Sequence, residues 1–64
     1  MLGLETNVRR IIARLEREGW INIAVAGHYR FVNGDFPGVM IVVPRRKELT
    51  IGAAQSIAEA AEWI

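Results

Sequence analysis

The sequence predicts a small α+β domain in which one helix, three strands and a second helix follow one another along the chain. Three observations lead to this fold class. Apolar residues recur with a helical period near each end of the 64-residue chain, strand-like alternation occupies the middle, and turn-forming residues separate the segments. Because the connections between the strands are short, the simplest arrangement is a three-stranded antiparallel meander with both helices packed on one face.

The first helix is predicted over residues 7–18. Its buried face is marked by apolar side chains at the spacing i, i+3, i+4 and i+7, namely Val8, Ile11, Ile12 and Leu15. Thr6 or Asn7 is expected to cap its start, and Gly19 is expected to end it.

The second helix is predicted from about residue 51 to residue 63, after a Thr50 cap. Its apolar stripe consists of Ile51, Ala54, Ile57, Ala58 and Ala61. Each helix therefore has one face suited to packing against a sheet.

Three strands are predicted between the helices, over residues 20–25, 28–32 and 39–43. Ala26 and Gly27 supply a tight turn between the first two strands, and the turn-rich segment 33–38 connects the last two. In the second strand, Tyr29 and Phe31 share one face. The opposite face of that strand carries His28, Arg30 and Val32.

The third strand is apolar on both faces. The residues expected to point inward are Val39, Ile41 and Val43. Met40 and Val42 then point outward, beside Val32 or Trp20. An exposed apolar patch of this kind usually marks a partner surface, and a homo-oligomer formed through this open sheet face is one such arrangement.

The composition excludes several classes of function. Without Cys and with a single His, the chain has no disulfide, no thiolate nucleophile and too few ligands for a structural metal site. We therefore expect neither a metal nor a cofactor. The first seven residues lack the pattern of a signal peptide, and the longest apolar run, residues 39–43, is too short to cross a bilayer. These features predict a single cytoplasmic domain over residues 1–64, without membrane contact.

The formal net charge of +1 conceals an asymmetry along the chain. Residues 1–47 contain all eight basic residues and four of the seven acidic ones, a balance of +4, whereas residues 48–64 contain the other three acidic residues and no base, a balance of −3. The basic part is suited to an anionic partner such as nucleic acid, and the acidic part is not.

His28 is the one side chain that can exchange a proton near neutral pH. Solitary histidines are often only hydrogen-bonded strand residues, and that interpretation stays open. The alternative is a general acid or base, which the position at the start of a hairpin strand favours because a large substrate can reach it there. A nucleophilic triad of His28 with Ser56 and Asp35 is not indicated by the spacing.

Two basic clusters accompany this histidine. One is a helical stripe at the spacing i, i+4 and i+7, made of Arg10, Arg14 and Arg17, with Arg9 beside it. A solvated helix face, partly balanced by nearby carboxylates, explains this stripe equally well. The other cluster is the connector before the second helix, made of Arg45, Arg46 and Lys47. Together with Arg30 beside the histidine, these residues form a candidate RNA or DNA footprint.

Taken as an ordered set, the residues resemble the HicA toxins of bacterial toxin–antitoxin modules, from about Val8 to Ala61. The first matching group consists of Glu18, Gly19 and Trp20 at the end of a helix, then Gly27, His28 and Phe31. The second consists of Pro37 and Gly38, then Val42, Val43 and Pro44. The last runs into the final helix and consists of Lys47, Leu49, Ile51, Gly52, Ser56 and Ile57.

The resemblance implies a fold, an activity and a partner. HicA proteins have a double-stranded-RNA-binding-like fold with two helices on a three-stranded antiparallel sheet. They are ribonucleases that cut messenger RNA without a metal, and a HicB antitoxin neutralises them. The matching residue implies that His28 is the catalytic histidine, and Arg30 is then the nearest group to offset charge at the phosphate. A non-catalytic module of the same fold, binding RNA or only a protein, is the alternative function.

Overall fold

Two helices and three strands follow one another in the predicted order. The structure is a computed structural model that describes residues 4–23 and 27–64. The elements are α1 (Val8–Arg17), β1 (Ile21–Asn22), β2 (His28–Val32), β3 (Ile41–Pro44) and α2 (Ile51–Ala60). The α+β class and the α-β-β-β-α order are confirmed.

The strands form an antiparallel meander with the spatial order β1-β2-β3. Ile21 lies opposite Val32 in the first pair, and Arg30 lies opposite Val42 in the second. His28 is paired with Pro44, the last residue of β3. The beginning of β2 therefore lies next to the point where the basic connector 45–47 leaves the sheet.

Both helices cover the same face of this sheet. The strands direct Phe31, Ile41 and Val43 into one core cluster with the buried side chains of α1 and α2. The members of the cluster from the helices are Val8, Ile11, Leu15, Ala54 and Ile57, together with Ala61, which caps the end of α2. The inward and outward sets predicted for β2 and β3 are thus confirmed at these positions. Within residues 4–23 and 27–64, no helix covers the other face of the sheet.

Of the two residues named as possible outward neighbours of Met40 and Val42, namely Val32 and Trp20, Trp20 does not lie on the outward side. The Trp20 side chain is only 3% exposed and belongs to the core cluster. Its amide donates to the Leu15 carbonyl at 2.9 Å, so the residue completes the turn that ends α1. This turn brings the ring inward against Phe36, with ring centroids 4.9 Å apart.

Ile51 was expected in the buried stripe of the second helix, and that prediction is wrong. Ile51 is 62% exposed, although the other four predicted residues of the stripe are buried. It is the first residue of α2, directly after the Thr50 cap. Side chains in a helix lean toward its N-terminus, so this one projects beyond the helix end into solvent.

Some boundaries also differ from the prediction. β3 begins at Ile41 instead of residue 39, and α2 ends at Ala60 instead of residue 63. The structure assigns β1 only to Ile21–Asn22. The predicted continuation of that strand through residues 24–25, and the share of Ala26 in the following turn, lie outside the described residues.

The helix caps follow the predicted chemistry. The Asn7 side chain accepts a hydrogen bond from the Arg10 amide at 3.0 Å, and the Thr50 hydroxyl accepts one from the Ala53 amide at 3.1 Å. No helix within residues 4–23 and 27–64 has the length and apolar character needed to cross a membrane.

Gly19 ends α1 with a φ of +94°, a conformation in which a side chain is strained. A Cβ at this position would lie 3.6 Å from Asn33 Nδ2, an ordinary contact, so the strain comes from the backbone alone. We expect Gly19→Ala to lower the free energy of unfolding by about 1–2 kcal/mol.

Gly34→Ala is the matched control for this substitution. Gly34 does not have a positive φ, and a Cβ there meets nothing within 4 Å. Reduced freedom of the unfolded chain should leave this variant as stable as the original, or about 0.4–1 kcal/mol more stable. Urea denaturation of both variants checks the pair, and equal stabilities would contradict the assigned helix-ending role of Gly19.

Candidate nucleic-acid interface

His28 is exposed on the face of the sheet that has no helix over it. It begins β2 directly after Gly27, whose φ of +90° belongs to the preceding turn. Within the described part of the chain, its imidazole has no hydrogen-bond partner and is available to a ligand from solvent. The interpretation of His28 as a hydrogen-bonded structural residue therefore gains no support from its surroundings.

Arg30 follows on the same face, two residues and about 6.6 Å further along the strand. Its stem is flanked by Val42 on one side and by Ile23 on the other, where the Ile23 amide donates to the Arg30 carbonyl at 2.7 Å. The Nε atom of this half-buried arginine is covered but has no hydrogen-bond partner among the described residues. A covered donor of this kind is costly unless an acceptor reaches it, so the site favours an anion.

The surroundings of Arg30 are apolar and exposed. The large side chains on this side of the sheet are Ile21, Ile23, Met40 and Val42, each between 41% and 63% exposed. We refer to this surface, with Arg30 at its centre and His28 at one end, as the open face. The predicted outward exposure of Met40 and Val42 is confirmed.

The basic connector begins beside His28. Pro44 is the strand partner of His28, and Arg45, Arg46 and Lys47 follow it directly, all three exposed. The Arg45 guanidinium lies over the ring of Tyr29, 4.9 Å from its centroid. Because Tyr29 belongs to the inward side of β2, the connector passes from the open face to the helix side of the sheet.

On the helix side, the connector and α1 border an open groove of about 830 Å³. Its cations are Arg9, Arg45, Arg46 and Lys47, and its one carboxylate is Glu16. Its apolar lining includes Ile12, Ala13 and the ring of Tyr29. We refer to it as the basic groove.

Arg9 was predicted only as a neighbour of the arginine stripe, and its place beside the connector was not predicted. The available signal was the helical period, because Arg9 lies three, four and seven residues before Ile12, Ala13 and Glu16 and so shares their face. The predicted stripe of arginines is on a neighbouring face of the same helix.

Arg10 and Arg14 lie apart from the connector, in a hollow that neither His28 nor the connector lines. Arg10 lies 3.8 Å from a Glu5 carboxylate oxygen, and Arg14 donates through Nε to Glu18 at 3.0 Å. The Arg14 guanidinium also lies over the Trp63 ring, 4.2 Å from its centroid. Both arginines line this hollow with Trp63, where carboxylates already balance much of their charge.

Glu18 links the two helix ends. Its carboxylate accepts a hydrogen bond from Trp63 Nε1 at 2.7 Å as well as the one from Arg14. The Trp63 hydrogen bond, and after it the Arg14 contact, hold the pKa of the Glu18 carboxyl below its usual value. The Arg14 side chain thus takes part in a contact between the C-terminal end of α1 and Trp63, which lies three residues beyond the end of α2.

The remaining polar candidates do not gather around the histidine. Ser56 is exposed on α2, beside the outer edge of β3, and Asp35 lies in the turn-rich loop with its amide bonded to Asn33 Oδ1 at 2.9 Å. Over the described ranges, no three His, Asp or Glu side chains come together as a metal site requires. Comparison with protein-family models and with curated proteins finds no match for this chain.

Proposed function

We propose that the chain is a metal-independent ribonuclease of the HicA type that cleaves messenger RNA. The observation that supports this proposal best is the placement of His28 and Arg30 on one exposed face, with the basic connector beginning at the strand partner of His28. The His28 imidazole can transfer a proton, the Arg30 guanidinium can bind an anion, and the basic connector can contact phosphates. These three groups are neighbours. The α-β-β-β-α architecture is the one that the resemblance to HicA implies.

The proposed chemistry uses a nucleophile carried by RNA itself. His28 takes the proton of a 2′-hydroxyl, whose oxygen attacks the adjacent phosphorus while the bond to the 5′-oxygen breaks. The products are a 2′,3′-cyclic phosphate and a 5′-oxygen that is protonated as it leaves, either by water or by the imidazolium. The Arg30 guanidinium offsets the negative charge that grows on the phosphate during this step.

The connector residues Arg45, Arg46 and Lys47 hold the RNA backbone in this proposal. They are exposed and directly follow the strand partner of His28. Arg10 and Arg14 were predicted for the same task, but their carboxylate partners make their contribution to RNA binding smaller. Because messenger RNA is the proposed substrate, we propose a cytoplasmic location.

The open face is the proposed surface for a HicB-type antitoxin. Four exposed apolar side chains surround Arg30 there, and the Arg30 Nε has no hydrogen-bond partner among the described residues. A protein partner with an apolar surface and a carboxylate opposite Arg30 would cover the apolar side chains and accept the hydrogen bond. A homo-oligomer through the same face is less favourable, since it brings two Arg30 side chains to one apolar interface. The same apolar surface supports the second candidate function, a non-catalytic module that binds RNA or a protein partner.

The test of this function compares RNA with DNA of the same sequence. We expect the purified protein to cleave single-stranded RNA in the presence of EDTA and to leave the DNA intact, because DNA lacks the attacking 2′-hydroxyl. Electrophoresis of end-labelled strands measures the cleavage, and detection of the cyclic phosphate identifies the mechanism. Cleavage of both strands contradicts the mechanism, and cleavage of neither favours the binding module.

A further inference from the structure

The basic groove faces away from the proposed cleavage site. It is lined by α1, the connector and Tyr29 on the helix side of the sheet, whereas His28 lies on the open face. The N-terminal end of α1 is held against the connector by the Val8 amide, which donates to the Lys47 carbonyl at 2.9 Å. The Leu49 amide donates a second backbone hydrogen bond, to the Thr6 carbonyl at 2.9 Å. These two bonds hold α1 and the connector, which line the two sides of the groove, against each other at one end.

The charge of the groove is not balanced from within. The ion pairs in the described part of the chain are Arg10 with Glu5 and Arg14 with Glu18, and both lie outside the groove. Four cations therefore face the groove against the single carboxylate of Glu16. Such a concentration of one charge sign attracts a ligand with phosphate groups.

The floor of the groove is suited to a planar group. The Arg45 guanidinium lies over the Tyr29 ring, 4.9 Å from its centroid, and Arg45 is exposed to solvent. Ile12 and Ala13 add apolar surface beside it. Nucleic-acid bases stack on arginine guanidinium planes and on aromatic rings, and a volume of about 830 Å³ lies within the range of small-ligand sites.

We propose that the basic groove binds an unpaired nucleotide of a single-stranded RNA, in the part of the strand that flanks the segment facing His28. The base stacks on Arg45, and the phosphates on either side contact Arg9, Arg46 and Lys47. This inference rests on the proposed function for the identity of the ligand. It adds a second binding site that favours unpaired RNA. The bound RNA would then pass from the open face to the helix side of the sheet, around the ends of β2 and β3.

Binding of a 2′-O-methyl RNA oligomer tests this site without any cleavage. Arg9→Gln removes one phosphate contact, so we expect affinity to fall about eightfold at about 50 mM salt and the salt slope to fall by about 0.7. Arg45→Lys keeps the positive charge but removes the planar guanidinium on which the base would stack. We expect this variant to bind about fivefold more weakly, or weaker still. Arg17 was predicted as part of the helical stripe, but the structure places it in the hollow beside Trp63 and not in the groove. Arg17→Gln therefore removes the same charge from α1 outside the groove, and we expect it to change affinity less than twofold.

Fluorescence anisotropy with a single-stranded oligomer, its duplex and a free nucleoside monophosphate separates the outcomes. Tighter binding of the single strand, with losses in Arg9→Gln and Arg45→Lys but not in Arg17→Gln, supports the site. Equal losses in Arg9→Gln and Arg17→Gln overturn it in favour of general charge attraction. Equal binding of the duplex, equal affinity for the free nucleotide, or no binding of RNA by the original chain also overturns it.

A parallel cleavage assay with unmodified RNA keeps the two proposals distinguishable. If groove-dependent binding occurs without cleavage, the nuclease function fails and the second site is retained. If the original chain cleaves RNA but Arg9→Gln binds the oligomer as tightly as the original does, the second site fails and the nuclease function is retained.

Discussion

His28→Ala is expected to lower the rate of RNA cleavage by about 10²–10⁴-fold, the usual contribution of a general acid or base. The imidazole is the only group of its kind in the chain, and it lies exposed on the open face beside Arg30. Ser56 and Asp35, the two residues considered for a triad with His28, lie on α2 and in the loop after β2. The loss should therefore appear in the chemical step.

The controls for this experiment separate chemistry from folding. Because His28 is exposed, its removal should change the free energy of unfolding by no more than about 0.5 kcal/mol. Affinity for the 2′-O-methyl oligomer should change much less than cleavage does, since the proposal assigns the phosphate contacts mainly to the connector. Thermal denaturation, anisotropy and single-turnover cleavage measure the three quantities. A variant that retains its cleavage rate would falsify the catalytic role.

Phe31→Ala is expected to have the largest effect on stability. Phe31 is fully buried, with 0% exposure, and belongs to the central strand of the sheet, opposite Asn22 on one side and Ile41 on the other. Removing such a ring costs about 3–5 kcal/mol. A domain of 64 residues has a free energy of unfolding of only about 3–10 kcal/mol, so this single change leaves little or no stability.

Ile21→Ala is the control for the opposite face of the same sheet. Ile21 is 63% exposed, so its truncation should change the free energy of unfolding by about 0.5 kcal/mol or less. Thermal melts followed by circular dichroism should show a loss of about 12 °C or more for Phe31→Ala and a small shift for Ile21→Ala. Similar shifts in the two variants would mean that the buried face has been assigned incorrectly.

The elements and their order follow from local patterns in the sequence. The apolar spacing of Val8, Ile11 and Leu15 indicates α1 because a helix places residues three and four apart on one face. The alternation in His28–Val32 indicates β2 with the bounds that the structure has. Capping by Asn7 and Thr50 is also local chemistry, so these features were predictable without any tertiary contact.

The direction of Trp20 was not predictable from such patterns. Each face of the predicted first strand carries large apolar residues, Trp20 on one and Ile21 and Ile23 on the other. Alternation alone therefore does not say which face meets the helices. The turn after Gly19 decides it by directing the Trp20 ring into the core. Ile51 shows the same limit, because its place in an apolar stripe did not reveal that the helix begins there and exposes it.

For the candidate site, the sequence by itself indicated the candidate groups for the proposed chemistry. They are a single histidine, Arg30 two positions later on the same face, and a basic connector before the last helix. Tertiary structure decided which cations have partners. Arg10 and Arg14 meet carboxylates, whereas Arg9 joins the connector at a groove. The physical reason is that strand and helix periods determine which side of an element a residue occupies, whereas its charge partners come from segments distant along the chain. The pairing of His28 with Pro44 is a contact of that second kind, and it brings the connector next to the histidine.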